Sequence, residues 1–491
     1  MLQYLKNEEN LTLTENGAVT NRSTGDFNLD LFATIGAIRH RSEEEILKRF
    51  IRAYAEDKDA ALKILFFGRD IRGGLGERRV FRVILNWLAI NHPETARKNL
   101  KYVAEFGRYD DLLCVFGTPC EDEAMSIIKE QLNIDLTNMA ERKAVTLLAK
   151  WLPSINTSNE EAVANARRIA RYLNMNAAQY RKTLSSLRAY IKIIENNLRM
   201  KDYTFDYSKQ PSNAMNKYRK AFIKNDNERY SKYLASVARG ERKMNTGNIY
   251  PYELVEPFMG GEYAFRRLTE EEELSINTTW NSLPDFGGDE DILAVIDGSG
   301  SMYASYMKPT PAAVALSLGI YLAERNKGAY RNHFITFSHS PRLIELKGET
   351  FLEKLQYAMT FNEVADTNIE AVFRLVLNTA VKNNLSSDEL PSKIVIISDM
   401  EFNCCARNAS ASNFQNAKAM FEEKGYTLPE IVFWNVNSIN NQQPVTKNDC
   451  GVALVSGCTP RLFSMIAGGI VDPYAFMLEV INSPRYSVIA A

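Results

Sequence analysis

Asp297, Ser299 and Ser301 stand at alternate positions directly after the apolar run Ile292-Leu-Ala-Val-Ile296. One carboxylate and two hydroxyls so spaced can converge on a point, and a hard oxygen cluster suits Mg²⁺ or Mn²⁺. The apolar run predicts a buried parallel strand that stops at Asp297. Gly298 and Gly300 permit a tight loop after it. Pro311 suits the first turn of a helix, and helical periodicity follows from Pro311 to Arg325. The carboxyl end of such a strand is where an open α/β sheet binds ligands. A Gly/Ser-rich turn that only caps a helix is the other reading, so the metal reading needs further ligands. Lys393-Ile-Val-Ile-Ile-Ser398 is a second apolar strand, ended by Asp399. Thr367 offers a hydroxyl just before a helical stretch from Ile369 to Thr379.

An Asp-x-Ser-x-Ser loop, a Thr loop and a strand-terminal Asp, in that order, resemble the metal-ion-dependent adhesion site of von Willebrand factor A domains. The resemblance implies that Asp297, Ser299, Ser301, Thr367 and Asp399 surround one divalent ion, some directly and some through water. It also implies that a protein partner can complete the shell with a carboxylate. Two places depart from the family pattern. Asp366 precedes the Thr where a small residue is usual, and Met400 and Glu401 follow the second Asp where Gly is frequent. Asp366 and Glu401 are read as solvated loop residues.

A second kind of chemistry belongs to cations. Gly68-Arg-Asp-Ile-Arg-Gly-Gly-Leu-Gly-Glu-Arg-Arg79 is a glycine-rich loop carrying Arg69, Arg72, Arg78 and Arg79, and a helical pattern follows it. Guanidinium forks and backbone N–H groups at a helix start can bind phosphate. Equally, the loop can be a helix connection whose arginines pair with Asp70, Glu77 and Asp110. It is no Walker P-loop, because the Gly-Lys-Ser/Thr ending is absent. Residues 161–250 carry 19 Lys/Arg against 7 Asp/Glu, a net of +12, whereas residues 285–491 carry 16 against 22, a net of −6. Aromatics interleave the basic segment at Tyr180-Arg-Lys, Lys217-Tyr-Arg-Lys-Ala-Phe and Arg229-Tyr-Ser-Lys-Tyr. Cations neutralise phosphates and aromatic rings stack on unpaired bases. Solvated helix faces around core aromatics would look similar, but the net charge favours a nucleic acid or a strongly acidic partner. Arg181, Lys182, Lys217, Arg219 and Lys220 are the candidate contacts.

These residues need elements to hold them. At 491 residues, the chain is long enough for two to four domains. From 81 to about 260, amphipathic helices alternate with short polar joints such as Gly107-Arg-Tyr-Asp-Asp, which suggests stacked helical hairpins in a superhelix or ring. Ser42 and Glu45 form a capping box ahead of one helix, and residues 11 to 32 read as an extended arm. The expected domains are a helical repeat domain over 1–262, a linker over 263–290, and an α/β domain over 291–491. Strands are expected at 292–296, 333–337, 393–398, 430–436 and 452–455, with helices between them on both faces of a parallel sheet. The tail after Tyr474 packs back onto either half.

The formal net charge of −1 excludes a global polyelectrolyte, and no run of about 18 apolar residues predicts a membrane span. The first residues lack a signal-peptide apolar region. Six cysteines without a CxxC pair fit reduced thiols in the cytoplasm.

A locally basic helical half followed by an adhesion-site domain is similar to the layout of the Ro (TROVE) RNA-binding family. Gly17-Ala-Val-Thr-Asn21 and Arg69-Asp-Ile-Arg-Gly-Gly-Leu-Gly76 carry the likeness, and Lys150-Trp-Leu-Pro-Ser154, Tyr180-Arg-Lys-Thr-Leu-Ser-Ser-Leu-Arg188 and Ser483-Pro-Arg-Tyr486 resemble patterns of an uncharacterised TROVE-like group of Ro relatives. The resemblance implies a HEAT-like ring or horseshoe closed by a von Willebrand A-like domain. In Ro proteins the ring takes the ends of misfolded small RNAs and its outer surface takes structured RNA. A non-catalytic RNA-binding protein with a divalent-metal adhesion site is therefore expected. The alternative is a metal-dependent protein-interaction scaffold without nucleic acid. His333 and His339 lie near the same sheet and are the one candidate base for a phosphoester hydrolase, but no base motif or second metal cluster accompanies them.

Overall fold

The computed structural model describes residues 8–260, 265, 267–304, 306–337, 340–361, 367–403 and 411–491. Asp366, His339, Cys404 and Cys405 lie outside the described residues.

The described residues between Phe27 and Asn281 are mainly helical, and the second part of the chain holds a six-stranded mixed sheet. Local signals explain many boundaries. Ser42 Oγ accepts from the Glu45 N–H and the Glu45 carboxylate accepts from the Ser42 N–H, so the capping box starts the helix Glu43–Glu56. Pro93 and Pro311 each occupy a first helical turn, where the missing N–H costs nothing. The long helix Ser212–Ala238 breaks its backbone at Asp226, whose carboxylate takes the Tyr207 hydroxyl at 2.7 Å.

The strands are β3 (Ile292–Asp297), β4 (His333–Phe337), β5 (Leu343–Glu345), β6 (Lys393–Ser398), β7 (Glu430–Asn435) and β8 (Val452–Ser456). Their order is β5-β4-β3-β6-β7-β8, with β5 antiparallel at one edge and the other neighbours parallel. The sheet is thus mixed rather than wholly parallel. The three-residue β5 has no clear apolar run to announce it. Ala294 and Ile296 pack with the helix Pro311–Arg325 on one face. Leu293 and Val295 pack with the helices Ile369–Asn383 and Asn413–Glu423 on the other. The chain leaves β3 for β4 on one side and returns to β6 on the other, so the carboxyl ends of β3 and β6 flank the topological switch point.

The stretch expected as a linker contains the helix Glu270–Asn281, capped by Thr269. Trp280 in it is 1% exposed and stacks on Phe351 with ring centroids 3.8 Å apart. The expected extended arm is a hairpin of β1 (Leu11–Leu13) and β2 (Val19–Asn21). It crosses to the sheet half, where Asn21 and Gln443 exchange backbone hydrogen bonds of 3.0 and 2.8 Å. The tail returns to the helical half: Arg485 forks onto Asp70, Tyr486 donates to the same carboxylate at 3.1 Å, and Asn99 donates to Ala490 O at 2.7 Å.

Both ends of the helical half meet the sheet half. At one end the Gly36 N–H donates to Ser456 Oγ at 3.0 Å and the Ser438 N–H to Ala37 O at 3.0 Å. At the other, Glu256 accepts from the Thr310 N–H at 2.8 Å, and Arg461 donates to Gly247 O at 2.6 Å. A Cβ on Gly36 would lie 2.6 Å from Ser456 O, a backbone atom that cannot step aside. Gly36→Ala is therefore expected to destabilise the joint by about 1–3 kcal/mol, read as a lower urea midpoint.

Candidate functional site

The loop after the helix Lys58–Arg69 folds back on it, with Leu75 N–H to Phe67 O at 3.1 Å and Glu77 N–H to Gly68 O at 2.7 Å. Gly76 has φ +74, and a Cβ there would meet the Tyr250 hydroxyl at 2.1 Å, so the position requires glycine. The loop forms one wall of a cavity of about 1750 Å³. Residues from 69 to 461 line it, including Thr459 and Arg461 of the sheet half. Ten lining side chains are Lys or Arg and three are Asp or Glu; Arg69 and Arg108 pair with Asp111 and Asp110 behind the wall, and the remaining excess leaves the cavity electropositive. Trp151, Tyr218 and Phe286 add aromatic faces.

The cations expected to bind RNA divide here. Arg72, Arg78 and Lys217 line the cavity and are exposed. Burial, and after it repulsion from Arg108 and Arg82, lowers the Arg78 guanidinium from its ordinary value, an electrostatic state that an incoming phosphate would relieve. Arg69 touches the same wall but is 2% exposed and spends its guanidinium on Asp111, at 2.8 Å from Nε. Its role is structural, as the ion-pairing alternative had it, although its acid is Asp111. Arg79 donates to Arg39 O and Arg41 O at 3.0 and 2.7 Å, outside the cavity wall. Arg181 and Lys182 are exposed on the helix Ala177–Tyr190, Arg219 donates to Asn216 at 2.9 Å, and Lys220 pairs with Glu272 at 3.4 Å; none of these lines the cavity.

The aromatic interleaving also needs correction. Tyr180, Phe222, Tyr230 and Tyr233 are buried core, because each hydroxyl among them finds a partner inside: Pro153 O, Ser275 Oγ and Lys243 O. Of the aromatic residues in those segments, only Tyr218 lines the cavity. Sequence reasoning missed Arg108, whose guanidinium lies 3.9 Å over the Trp151 ring, and Arg461. Arg108 stands in a joint and Trp151 in a short helix, and nothing in their spacing announces that the fold brings them together.

The second cluster lies at the switch point. Asp297 ends β3 and is 1% exposed. The Ser398 hydroxyl donates to Asp297 Oδ2, the Ser299 N–H to Oδ1 at 2.8 Å, and the Ser299 and Ser301 hydroxyls are 3.1 Å apart. Burial pushes the Asp297 carboxyl up despite those hydrogen bonds. Asp399 is pushed up to about 7, first by burial and then by the charge of Asp297, with the Ser301 hydroxyl offsetting part of it. Asp399 Oδ2 is buried without a hydrogen-bond partner. Thr367, 1% exposed, donates to Glu401 O at 2.7 Å, and the Glu401 N–H lies 3.3 Å from Asp399 Oδ1. Thr367 and Asp399 therefore grip opposite ends of one residue.

Glu401 is not solvated. It is 3% exposed, and its carboxylate accepts from the Glu15 N–H, Asn440 and Gln442 at 2.8, 3.0 and 2.7 Å. Met400 has φ +70, a left-handed backbone that a Gly would adopt freely and Met adopts at a cost of about 1–2 kcal/mol. His333 begins β4, whereas Asp297 pairs with Phe337 at its far end, so this histidine stands at the opposite end of the strand from the cluster.

Among the described residues, no three or more His, Cys, Asp or Glu side chains are placed to hold a metal ion by themselves. The cluster instead has two buried carboxylates, hydroxyls and an orphaned oxygen, and among the described residues neither carboxylate is paired with a Lys or Arg. Two such charges are costly without a cation, and an all-oxygen donor set fits Mg²⁺ or Mn²⁺.

Comparison with known proteins gives the chain its relatives. A domain of unknown function, DUF2828, matches residues 14–130 and 122–285, and another, DUF7788, matches residues 291–472. The uncharacterized protein L728 of Acanthamoeba polyphaga mimivirus is 30% identical over 527 aligned positions, spanning 98% of this chain and 90% of the viral protein. Among solved structures, the Ro (RSR) protein of Deinococcus radiodurans covers 93% of each chain at 13% identity with a TM-score of 0.40, a likeness that bears no weight on function. With the first domain spanning more than half of the sequence and the viral relative aligned over nearly all of it, the chain belongs to the DUF2828 family.

Proposed function

We propose that this protein binds RNA without chemical turnover, taking an unpaired segment of a structured or misfolded small RNA into the cavity. The observation that carries the reading is the excess of ten basic over three acidic side chains around a space of about 1750 Å³. A packed nucleotide occupies a few hundred Å³ by the usual size of ligand sites, so the cavity has room for several. Arg72, Arg78 and Lys217 neutralise phosphates, and Trp151, Tyr218 and Phe286 offer stacking faces that accept any base. The helical half meeting the sheet half at both ends supports a closed, Ro-like ring. No helix among the described residues is long and apolar enough to cross a membrane. The described cysteines Cys114, Cys120, Cys450 and Cys458 are free thiols, which supports a cytoplasmic site of action.

The experiment is photocrosslinking of the full chain to single-stranded RNA carrying 4-thiouridine, with peptides mapped by mass spectrometry. Adducts at the cavity wall near Trp151, Tyr218 or Phe286 are expected. Adducts confined to the outer face around Arg181 and Lys182 would sink the cavity reading.

A second function is favoured by the orphaned Asp399 oxygen beside Asp297. Asp297, Ser299, Ser301, Thr367 and Asp399 would hold Mg²⁺ or Mn²⁺ in a von Willebrand A-like adhesion site. The ion would supply a positive centre for a carboxylate oxygen of a protein partner. Asp297→Ala is expected to lower Mn²⁺ affinity at least a hundredfold in calorimetry; unchanged uptake would remove the assignment.

A further inference from the structure

We propose that the tip of the N-terminal hairpin, Thr14 to Gly17, is a positioning clamp for the Asp297–Asp399 site, so that divalent-ion binding and hairpin docking support each other. The proposal rests on the divalent-ion reading above.

The tip makes its contacts with segments more than 350 residues away in sequence. Thr14 Oγ1 donates to Phe402 O at 2.6 Å, and the Glu15 N–H donates to the Glu401 carboxylate at 2.8 Å. The Asn16 amide donates to Glu401 O at 2.6 Å and lies 3.2 Å from Thr367 Oγ1. Gly17 bridges Asn403 in antiparallel register. The tip is itself braced, since the Ala18 N–H donates to Thr14 Oγ1 at 2.9 Å and Gly17 takes φ +82 to close the turn. All of these contacts fall on Thr367 or on residues 401–403, just after Asp399.

Glu401 is the hub. Its N–H faces Asp399 Oδ1, its carbonyl takes the Thr367 hydroxyl and the Asn16 amide, and its carboxylate takes the Glu15 N–H. A threonine hydroxyl has one proton and two lone pairs. The proton is shared between Glu401 O at 2.7 Å and Asn403 Oδ1 at 3.1 Å, and one lone pair faces the Asn16 amide, which leaves one lone pair for a cation. The hairpin therefore fixes how Thr367 presents its oxygen. It also holds down a strained turn, because Met400, between Asp399 and Glu401, sits in the left-handed region. Preorganised oxygens bind a cation better than mobile ones. By linkage, whatever the docked hairpin adds to ion affinity, the ion adds to hairpin docking.

The test uses the full-length chain with Mn²⁺ alone. Calorimetry measures Mn²⁺ affinity of wild type, Asn16→Ala and Asp297→Ala, and hydrogen exchange follows the amides of residues 14–21 with and without the ion. Asn16→Ala is expected to bind Mn²⁺ about fivefold more weakly, the worth of one or two hydrogen bonds. Exchange in the wild-type hairpin slows severalfold on adding Mn²⁺, and does not slow in Asp297→Ala. Equal Mn²⁺ affinity in Asn16→Ala, or wild-type hairpin exchange indifferent to Mn²⁺, overturns the clamp and leaves the ion reading standing. Absence of Mn²⁺ uptake by the wild type overturns both.

Discussion

A variant with Arg72→Glu, Arg78→Glu and Lys217→Glu together is expected to bind single-stranded RNA at least a hundredfold more weakly than wild type at about 0.1 M salt. Its log–log salt slope should shrink by about 2, since each phosphate contact to a single strand contributes about 0.7. All three side chains are exposed and line one cavity, so three charges change sign where the RNA would lie, a net change of six units. Arg78 contributes most, because Arg108 and Arg82 already crowd it and no described acid takes its guanidinium in an ion pair. The comparison that gives the result meaning is Arg181→Glu with Lys182→Glu. Those residues lie outside the cavity, and reversing them should change affinity less than threefold. Equal losses in the two variants would mean that binding follows overall charge and not the cavity.

Asp111→Ala carries the largest expected loss of stability. Asp111 is fully buried and accepts from Arg69 Nε at 2.8 Å, Arg82 Nε at 2.7 Å and the Arg108 N–H at 3.0 Å. Removing it leaves the Arg69 charge, at 2% exposure, without its acid. Breaking a buried pair from one side costs about 3–5 kcal/mol, and the unfolding midpoint of the helical half should fall by about 10 °C. Asp111→Asn keeps acceptors for the Arg108 N–H and one guanidinium, so its loss should be about half. A midpoint unchanged in Asp111→Ala would show that Arg69 relaxes to solvent and that the ion pair is dispensable.

The legible parts of the sequence are those where one short stretch carries the whole signal. Ile292 to Asp297 and Lys393 to Ser398 are strands because runs of five and four apolar residues precede a polar stop, and Pro311 begins its helix because its fixed φ and missing N–H suit a first turn. The Asp-x-Ser-x-Ser loop sits where such strands end, so the switch-point cluster was visible before any coordinate. The mixed sheet was half visible: five strands announce themselves, but the three residues of β5 pair only because β4 offers a free edge. What stays hidden is whatever two distant stretches decide together. Glu401 reads as a loop acid until the hairpin covers it, and Arg69 reads as a phosphate ligand until Asp111 is found behind it. Tyr180, Phe222, Tyr230 and Tyr233 sit among lysines and arginines, yet helix packing turns them inward. The cavity wall draws on Arg78, Arg108, Trp151, Lys217 and Arg461, five residues that no spacing rule connects.

The cavity and the switch-point cluster are served by different halves, and the chain ends tie those halves together. Arg485 and Tyr486 seize Asp70 behind the arginine loop, while the hairpin seizes Glu401 beside Asp399. Each site is thus steadied by a terminal segment of the chain.

RNA binding in the cavity is tested most directly by fluorescence anisotropy of a labelled small RNA with a single-stranded 3′ extension, titrated with the protein at about 20 mM and about 150 mM salt. The cavity reading predicts tight binding at the lower salt, weakening by at least tenfold at the higher, and competition by an unlabelled single strand but not by a blunt duplex of the same length. Absence of binding at the lower salt, where phosphate attraction is strongest, would contradict it.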